Sequence, residues 1–378
     1  MFELVCARCA KRHDASCYRL QCDQCGGLLD IEYDVAPAVE FRLLQNAAGL
    51  RRYAPLLPIE DAARFVSLGE GGTPVVPLPA VGAALGLERL CAKLECCNPT
   101  GAFKDRGTAV EVTVLRELGI EAVAEIAGGN TGFSLACYCA RAGIRFVGFA
   151  YEDPGHPKLH AIAHAGAEMH RVEGDRQACA AAIAEFCRDT GVLDLRYGRN
   201  AYFIEGQKTF AYEIPEQVDA LPDHVIVPVG NGSLLLGLWR GFSDMLQDGR
   251  AVTMPRLHAA QSDAFQPLVA ALHETRWRAA PGADTVAVGV KVSQPPRLDA
   301  LVAACRKSGG QAVAVADAAV VRWHRRLAEL EGLLVEPTSA IVLAAAEILA
   351  RRGDIGRDDH VLVALTGSGF KEPIPLLS

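Results

Sequence analysis

The stretch Asn98-Pro99-Thr100-Gly101-Ala102-Phe103-Lys104-Asp105-Arg106-Gly107 decides how the rest of the chain is interpreted. An Asn-Pro-Thr-Gly turn runs into a predicted helix, and Lys104 lies in its first turn beside the apolar ring of Phe103. Desolvation favours the uncharged amine of a lysine, which can then condense with the carbonyl group of a cofactor. Most lysines are surface charges, so a solvated lysine at a helix start is the alternative interpretation.

The longer run Lys93–Gly107 resembles the cofactor-lysine motif of the threonine synthases, which belong to the fold-type II pyridoxal phosphate enzymes. Lys104 lies at the Schiff-base position of that motif, with Phe103 also at the cofactor. Ser67–Pro74 and Glu205–Ile214 resemble two further motifs of the family, so the resemblance covers almost the whole chain. It implies a tryptophan synthase β-like α/β fold, pyridoxal 5′-phosphate as cofactor, a small amino-acid substrate and a homodimer.

Composition bounds the class of protein. The chain has 378 residues, half of them hydrophobic, which is enough for a large core and about two domains. A net charge of -7 and the absence of a basic tract argue against nucleic acid as a partner. No sequence run reaches the ~18 apolar residues of a membrane helix, and the 13 cysteines are consistent with a reducing compartment. We therefore expect a cytoplasmic protein without a membrane partner.

Two cysteine pairs open the chain, Cys6 with Cys9 and Cys22 with Cys25. Four thiolates at this spacing are typical of a tetrahedral zinc ribbon, whose metal would be structural because no coordination position stays open. A redox pair or a ribbon without metal is the alternative. Cys17 lies between the pairs and is a spare thiol.

Alternation of strands, glycine loops and helices predicts parallel sheets joined by right-handed crossovers. The predicted strands are Ala122–Ile126, Ile144–Tyr151, His224–Val229 and His360–Leu365. The predicted helices are Thr100–Leu118, Gly132–Ala142, Lys158–Gly166, Arg176–Thr190, Leu234–Leu246 and Pro337–Arg352. We expect two doubly wound α/β domains plus the ribbon: ribbon 1–35, connector 36–68, larger cofactor-binding domain 69–104 with 213–378, and smaller domain with the substrate loop 105–212.

A glycine-rich loop follows the strand at His224–Val229. Backbone N–H groups at the start of a helix can hold a phosphate, although such loops often exist for packing alone. The resemblance implies that this loop binds the cofactor phosphate through Gly230, Asn231, Gly232, Ser233 and Leu234.

Two further positions are assigned by the resemblance. Asn130 would bond the ring hydroxyl of the cofactor, while Gly128, Gly129 and Thr131 would receive the substrate carboxylate. Thr366 would face the pyridine nitrogen. A hydroxyl carries no charge to hold that nitrogen protonated, which favours elimination and replacement over transamination.

The chain departs from the family pattern where the substrate is expected. Ala127 and Gly128 stand where many threonine synthases have serine and threonine, and Ser368 stands where histidine is usual. Phe203 occupies the position of an arginine that helps to hold the substrate phosphate, so it too is a predicted substrate contact. Arg196 and Arg199 are nearby in sequence and are candidates to replace that arginine.

The sequence therefore predicts a threonine synthase-like lyase or synthase that acts at the β or γ carbon of an amino acid other than O-phosphohomoserine. Lys104 would hold the cofactor and then act as the base. The alternatives are a genuine threonine synthase, a β-replacement or ammonia-lyase enzyme on a serine-type substrate (as in cysteate synthase), and a non-catalytic amino-acid-binding protein. The intact Lys104, phosphate loop and Thr366 argue against the last of these.

Overall fold

The structure is a computed structural model that describes residues 2–33, 43–44, 47–151 and 156–371. Most of the first part of the predicted connector, 36–42 and 45–46, lies outside the described residues. Among the described helices, none combines the length and the apolar character needed to cross a membrane.

The chain alternates strands and helices in most of its length. The strands are β1 (Phe2–Cys6), β2 (Arg12–His13), β3 (Leu29–Tyr33), β4 (Val75–Pro77), β5 (Arg89–Lys93), β6 (Ala122–Ile126), β7 (Arg145–Ala150), β8 (Glu168–Arg171), β9 (Leu193–Asp194), β10 (His224–Pro228), β11 (Arg256–Ser262), β12 (Ala312–Val315) and β13 (His360–Ala364). The helices are α1 (Pro79–Leu85), α2 (Lys104–Glu117), α3 (Gly129–Ala142), α4 (Pro157–His164), α5 (Arg176–Thr190), α6 (Ala201–Gln217), α7 (Ser233–Gln247), α8 (Pro267–Leu272), α9 (Leu298–Ser308), α10 (Asp317–Glu331) and α11 (Pro337–Arg352).

Two compact units divide the chain. The first unit contains Met1–Gly72 and Lys104–Gly206, and the second contains Thr73–Phe103 and Gln207–Ser378. The ribbon is therefore part of the first unit, together with residues 105–206 of the segment predicted as the smaller domain, whereas residues 207–212 of that segment are in the second unit. The chain passes from the second unit to the first between Phe103 and Lys104, so the lysine begins both a unit segment and helix α2.

The first unit has two sheets. The ribbon forms an antiparallel sheet in the order β2-β1-β3, and the other sheet is parallel in the order β8-β7-β6-β9. Ala124 and Val147 of the parallel sheet pack against Cys179 and Ile183 of α5. Burial of this apolar strand face against a helix is what stabilises a parallel sheet, as the alternation of strands and helices predicted.

The second unit is built on one sheet in the order β12-β11-β10-β13-β5-β4, parallel except for the antiparallel edge strand β4. Its core includes a nearly continuous apolar run of α11, from Ala340 to Ala346. Strands β10 and β13 are neighbours, so the loops that follow their carboxyl ends emerge at the same sheet edge. Ligands of α/β sheets bind at such an edge.

Two predicted helix starts are wrong, and both corrections concern the candidate site. Helix α2 begins at Lys104 instead of Thr100. Gly101 is in the left-handed conformation, and the Phe103 N–H donates to the Thr366 carbonyl at 3.0 Å, so this segment is tied to the end of β13 before the helix can begin. Helix α3 begins at Gly129 instead of Gly132, so the predicted substrate loop is largely a first helical turn.

Candidate active site

Lys104 points its amine at an aromatic residue 93 positions away along the chain. Its Nζ donates a hydrogen bond to the Tyr197 hydroxyl and lies 4.5 Å from the centroid of the Tyr197 ring. The Phe203 ring centroid is 5.8 Å from the same amine. A cation near the faces of two rings is attracted by their quadrupoles, so Lys104 is not simply a solvated lysine at a helix start.

The sequence analysis missed Tyr197, which lies in a short 3₁₀ turn, Tyr197–Arg199. The backbone N–H of Tyr197 donates to the Glu125 carboxylate at 2.6 Å, and burial raises the pKa of that buried carboxyl. Arg196, just before the turn, has a positive φ of 43°, which is uncommon for a residue other than glycine. A lone tyrosine between two arginines carries no sequence pattern, so no signal in the chain marks it as a partner of Lys104.

Phe203 is 1% exposed and lies in the first turn of α6. Its ring meets that of Tyr197 edge-on, with centroids 4.6 Å apart. A side chain at Gly107 would place its Cβ 2.6 Å from the Phe203 ring, so the ring fills the space that this glycine leaves on α2. The position at which the family pattern has arginine is therefore packed between helix α2 and the tyrosine that contacts Lys104.

The predicted substrate loop lies at the N-terminus of α3. Gly128 is the N-cap in an extended conformation, and Gly129, Asn130 and Thr131, all half-buried, form the first turn. Backbone N–H groups at the start of a helix suit a carboxylate. Ala127 is fully buried against Gly148, where an added Cβ would lie 2.5 Å from the Ala127 methyl group. Ala127 is thus a packing residue. Of the two positions at which the family pattern has a hydroxyl, Gly128 is the one that lies at the start of the helix.

Glycines shape the predicted phosphate loop in the second unit. A Cβ at Gly230 would lie 2.7 Å from the Gly289 carbonyl oxygen. Gly232 has φ of 80°, and its Cβ would lie 2.2 Å from a Leu301 methyl group. Both glycines are therefore required by packing, and they also leave α7 without a side-chain N-cap bond. Asn231 and Ser233 are half-buried at this helix start, whereas Leu234 is buried, so the loop has the cradle that a phosphate requires.

Thr366 follows β13 at the same edge of that sheet. It is 3% exposed, and its hydroxyl lies 3.3 Å from the Ser339 Oγ. Ser339 in turn accepts from the Gly367 N–H at 2.9 Å, and the Phe103 N–H donates to the Thr366 carbonyl. The second unit thus holds a glycine cradle and a fixed hydroxyl at the carboxyl ends of adjacent parallel strands, and this combination fits a phosphorylated ring cofactor.

The two candidate arginines differ in their surroundings. The Arg196 Nε donates to Asp194 at 2.7 Å, and its side chain is 45% exposed. To replace the arginine of the family pattern, Arg196 would have to exchange this ion pair with Asp194 for one with the substrate phosphate. Arg199 is half-buried in the turn that holds Tyr197.

The four cysteines of the ribbon come together. Distances between their sulfurs are 3.4 Å for Cys6 and Cys25, 3.4 Å for Cys9 and Cys25, and 3.7 Å for Cys9 and Cys22. Four sulfurs placed tetrahedrally at the usual zinc distance are about 3.8 Å apart, so this donor set fits zinc. The Gly27 N–H donates to the Cys25 sulfur at 3.4 Å, and this hydrogen bond would help to orient that sulfur toward a metal ion.

A sequence profile of the pyridoxal-phosphate dependent enzymes matches residues 66–367. The chain belongs to this family. It is a threonine synthase-like member, because threonine synthases resemble it over nearly its whole length. That of Methanocaldococcus jannaschii is 35% identical, over 97% of this chain and 92% of the relative. That of Methanosarcina acetivorans is 33% identical, over 99% of this chain and 93% of the relative.

Solved structures show the same fold at lower sequence identity. The processed form of threonine deaminase isoform 2 from Solanum lycopersicum has a TM-score of 0.70 and 19% identity, with 88% of this chain and 90% of that chain covered. Maize serine racemase has a TM-score of 0.68 and 22% identity, with 79% and 88% covered. The α/β fold of fold-type II pyridoxal phosphate enzymes is therefore established.

Proposed function

We propose that the chain catalyses an elimination or replacement at the β or γ carbon of an amino acid other than O-phosphohomoserine. The observation that carries this proposal is the packing of Phe203, which stands where an arginine would hold the substrate phosphate. Its buried ring lies against Gly107 and Tyr197, and it offers no charge.

The proposal gives each part of the site a role. Lys104 would hold pyridoxal 5′-phosphate through its amine, and the same amine would take and return protons at Cα and Cβ of the substrate. The loop Gly230–Leu234 would hold the cofactor phosphate. The bound cofactor supplies an electron-withdrawing ring that stabilises negative charge at the substrate carbons.

The remaining residues orient the cofactor and the substrate. Thr366 would face the ring nitrogen as a neutral partner, and Asn130 would bond the ring hydroxyl. Gly128, Gly129 and Thr131 receive the substrate carboxylate at the start of α3, where the helix dipole favours an anion.

The uncharged ring of Phe203 bears on which substrate side chain can bind. A hydrogen bond to a charged group contributes ~1.5–3 kcal/mol, and a dianionic phosphate is normally held by several. Replacing a guanidinium fork with Phe203 removes such bonds, and Arg196 is engaged with Asp194. At about 1.4 kcal/mol per tenfold change, the selectivity for a phosphorylated side chain falls by about two orders of magnitude. A bulkier or less anionic side chain suits the space at Gly128 and the ring at position 203.

A second candidate is a genuine threonine synthase. What favours it is that the relatives at 33–35% identity over almost the entire chain bear that name. In that case Arg199 or another cation would hold the phosphate in place of the family arginine.

We also propose one structural zinc ion per chain, held by Cys6, Cys9, Cys22 and Cys25. The sulfur distances and the N–H bond from Gly27 support it. The homodimer implied by the resemblance belongs to the same proposal and is checked by measuring the mass of the protein in solution.

The experiment that tests the proposed function is a substrate screen on protein loaded with pyridoxal 5′-phosphate. Amino acids are added one at a time, changes in the visible spectrum are recorded, and products are identified by mass. We expect spectral changes followed by a β- or γ-elimination or replacement product. A spectrum that responds to an amino acid but never gives a product would instead indicate a binding protein.

A further inference from the structure

Tyr197 brings a phenolic hydroxyl to the amine that is expected to do the chemistry. We propose that Tyr197 is a positioning residue for Lys104, whose hydroxyl fixes the direction of the ε-amine by accepting its hydrogen bond. This inference rests on the proposed function, because it concerns the lysine to which that function is assigned. It adds a residue to the site that lies outside all the motifs quoted from the sequence.

The backbone of Tyr197 is fixed from one side. Its N–H donates to Glu125 Oε2 at 2.6 Å, while the other carboxylate oxygen accepts from the Ile126 N–H at 2.8 Å. Glu125 is 5% exposed at the end of β6. The left-handed conformation of Arg196 turns the chain so that this bond forms. A non-glycine residue keeps such a conformation only where the surroundings determine it, so the position of Tyr197 is a built feature.

The ring of Tyr197 is fixed from another side. Phe203 meets it at an interplanar angle of 90° and is itself seated on the surface of α2 at Gly107. Since Lys104 is the first residue of the same helix, α2 provides both the amine and the seat of the ring that supports its partner. Phe203 therefore supports Tyr197, in addition to placing its own ring 5.8 Å from the Lys104 amine.

A neighbouring tyrosine shows what a purely structural role looks like. Tyr202 is 1% exposed, and its ring stacks on Tyr18 with centroids 5.5 Å apart. Among the described residues, the Tyr202 hydroxyl has no hydrogen-bond partner. Its contribution comes from the ring, whereas Tyr197 uses its hydroxyl on a reactive group.

A fixed amine has a consequence for reactivity. A lysine side chain ends in a flexible four-carbon stem, and the reaction with a carbonyl group requires the nitrogen to lie in one direction. By holding the nitrogen, the hydroxyl raises the fraction of molecules in the reactive geometry. Loss of one hydrogen bond between uncharged groups corresponds to about a two- to tenfold change in rate.

The test compares Tyr197→Phe with the matched control Tyr202→Phe, because each removes one buried hydroxyl and keeps its ring. Pyridoxal 5′-phosphate is added to cofactor-free protein, and the rate of appearance of the visible band of lysine-bound cofactor is measured without any substrate. Turnover of a substrate from the screen then gives kcat and KM separately. Circular dichroism and the melting temperature check that each variant is folded.

We expect Tyr197→Phe to slow formation of the band and to lower kcat, each by about three- to tenfold, with KM changed by less than about twofold. Tyr202→Phe should match the unsubstituted protein in both rates. If Tyr197→Phe does not fold, Phe203→Leu takes its place, since it loosens the ring and keeps the hydroxyl, and it should slow both rates to a smaller extent.

Two results overturn the inference in distinguishable ways. If the unsubstituted protein forms the band but Tyr197→Phe forms it equally fast and keeps its kcat, Tyr197 has no positioning role and the proposed function stands. If the unsubstituted protein forms no band at all, the proposed function fails, and this inference fails with it.

Discussion

The two sets of candidate site residues differ in how they are specified. In the second unit, the phosphate loop and Thr366 follow the ends of adjacent parallel strands, and the glycines are dictated by contacts with Gly289 and Leu301. In the first unit, Lys104 donates a hydrogen bond to Tyr197, which in turn contacts Glu125 and Phe203. The site residues of the second unit are fixed by backbone shape, whereas those of the first unit are fixed by side chains that are distant in sequence. On the proposed function, we therefore expect substitutions at the substrate positions of the first unit to leave the phosphate loop of the second unit unchanged.

The largest effect is expected from Lys104→Ala, which tests whether the first-unit set performs the chemistry. Loss of the amine removes both the cofactor bond and the base, so we expect turnover to fall by about a thousandfold or more and the visible band of lysine-bound cofactor to be absent. Steady-state kinetics measure the turnover, and the visible spectrum shows whether the band forms. Lys291→Ala, at a half-exposed lysine paired with Asp284, is the control and should change neither. Turnover of Lys104→Ala at the original rate would remove Lys104 from its role.

The next largest effect is expected from Cys22→Ser in the ribbon. The ribbon packs through Leu4 and Leu29 against Val114 of α2 and Tyr202 of α6, the two helices that carry Lys104 and Phe203. Loss of a zinc ligand should lower the metal content and the free energy of unfolding, the latter by about 3 kcal/mol or more.

Metal analysis and denaturant unfolding are the measurements for this prediction. Cys17→Ser is the matched control, because Cys17 lies in the same ribbon and is exposed. Native protein purified without chelators that contains no zinc would contradict the assignment.

A smaller effect is expected from Gly232→Ala in the phosphate loop. Both this residue and Gly353 have a positive φ, 80° and 76°, but only at Gly232 would a Cβ meet another side chain, that of Leu301. Gly353→Ala is therefore a control that shares the backbone strain without the clash. We expect Gly232→Ala to weaken binding of pyridoxal 5′-phosphate by about tenfold and to destabilise the fold by ~1–3 kcal/mol, measured by cofactor titration and unfolding. Equal effects of the two substitutions would mean that the loop tolerates a side chain.

The smallest effect on activity is expected at the amino-terminal ends of the strands of the second-unit sheet, where the consequence is for stability. His258 Nδ1 accepts from the Gln311 N–H, and His258 Nε2 lies 2.9 Å from His224 Nδ1, whose ring also meets Asp359. Burial lowers the pKa of His258 to about 3. An unfolded histidine binds its proton near pH 6.5, so the stability contribution is complete above that pH and is lost progressively as the pH falls toward 3.

Denaturant unfolding between about pH 4 and about pH 8 measures this dependence. His258→Gln should flatten the fall in stability on the acid side, whereas His273→Gln, at an exposed histidine, should leave it unchanged. If the slope stays the same in His258→Gln, other groups are responsible for the acid sensitivity.

Much of the fold follows from local sequence signals. The bounds of β6, α5 and α11 are those predicted, because β6 is a short apolar run and the two helices have a glycine or proline at an end. Thr366 and the phosphate loop were also placed at strand ends by such signals. The start of α2 was predicted too early, since the hydrogen bond from Phe103 to Thr366 joins residues that are far apart in the chain.

The partner of Lys104 could not be predicted for the same reason. Tyr197 acts through contacts with Lys104, Glu125 and Phe203, and two of these residues are more than 70 positions away. Phe203 was predicted as a substrate contact from its place in the family pattern. Its packing between Gly107 and Tyr197 depends on two helices meeting, which no local pattern records.

The central claim, that the natural substrate is not O-phosphohomoserine, is tested most directly by steady-state kinetics with that compound. With Phe203 in place of the arginine and Arg196 paired with Asp194, we predict a kcat/KM about two orders of magnitude or more below the ordinary enzyme range. The substrate found by the screen should reach that range under the same conditions. Formation of threonine from O-phosphohomoserine with a kcat/KM of ~10⁴ M⁻¹s⁻¹ or above would contradict the claim and identify the chain as a plain threonine synthase.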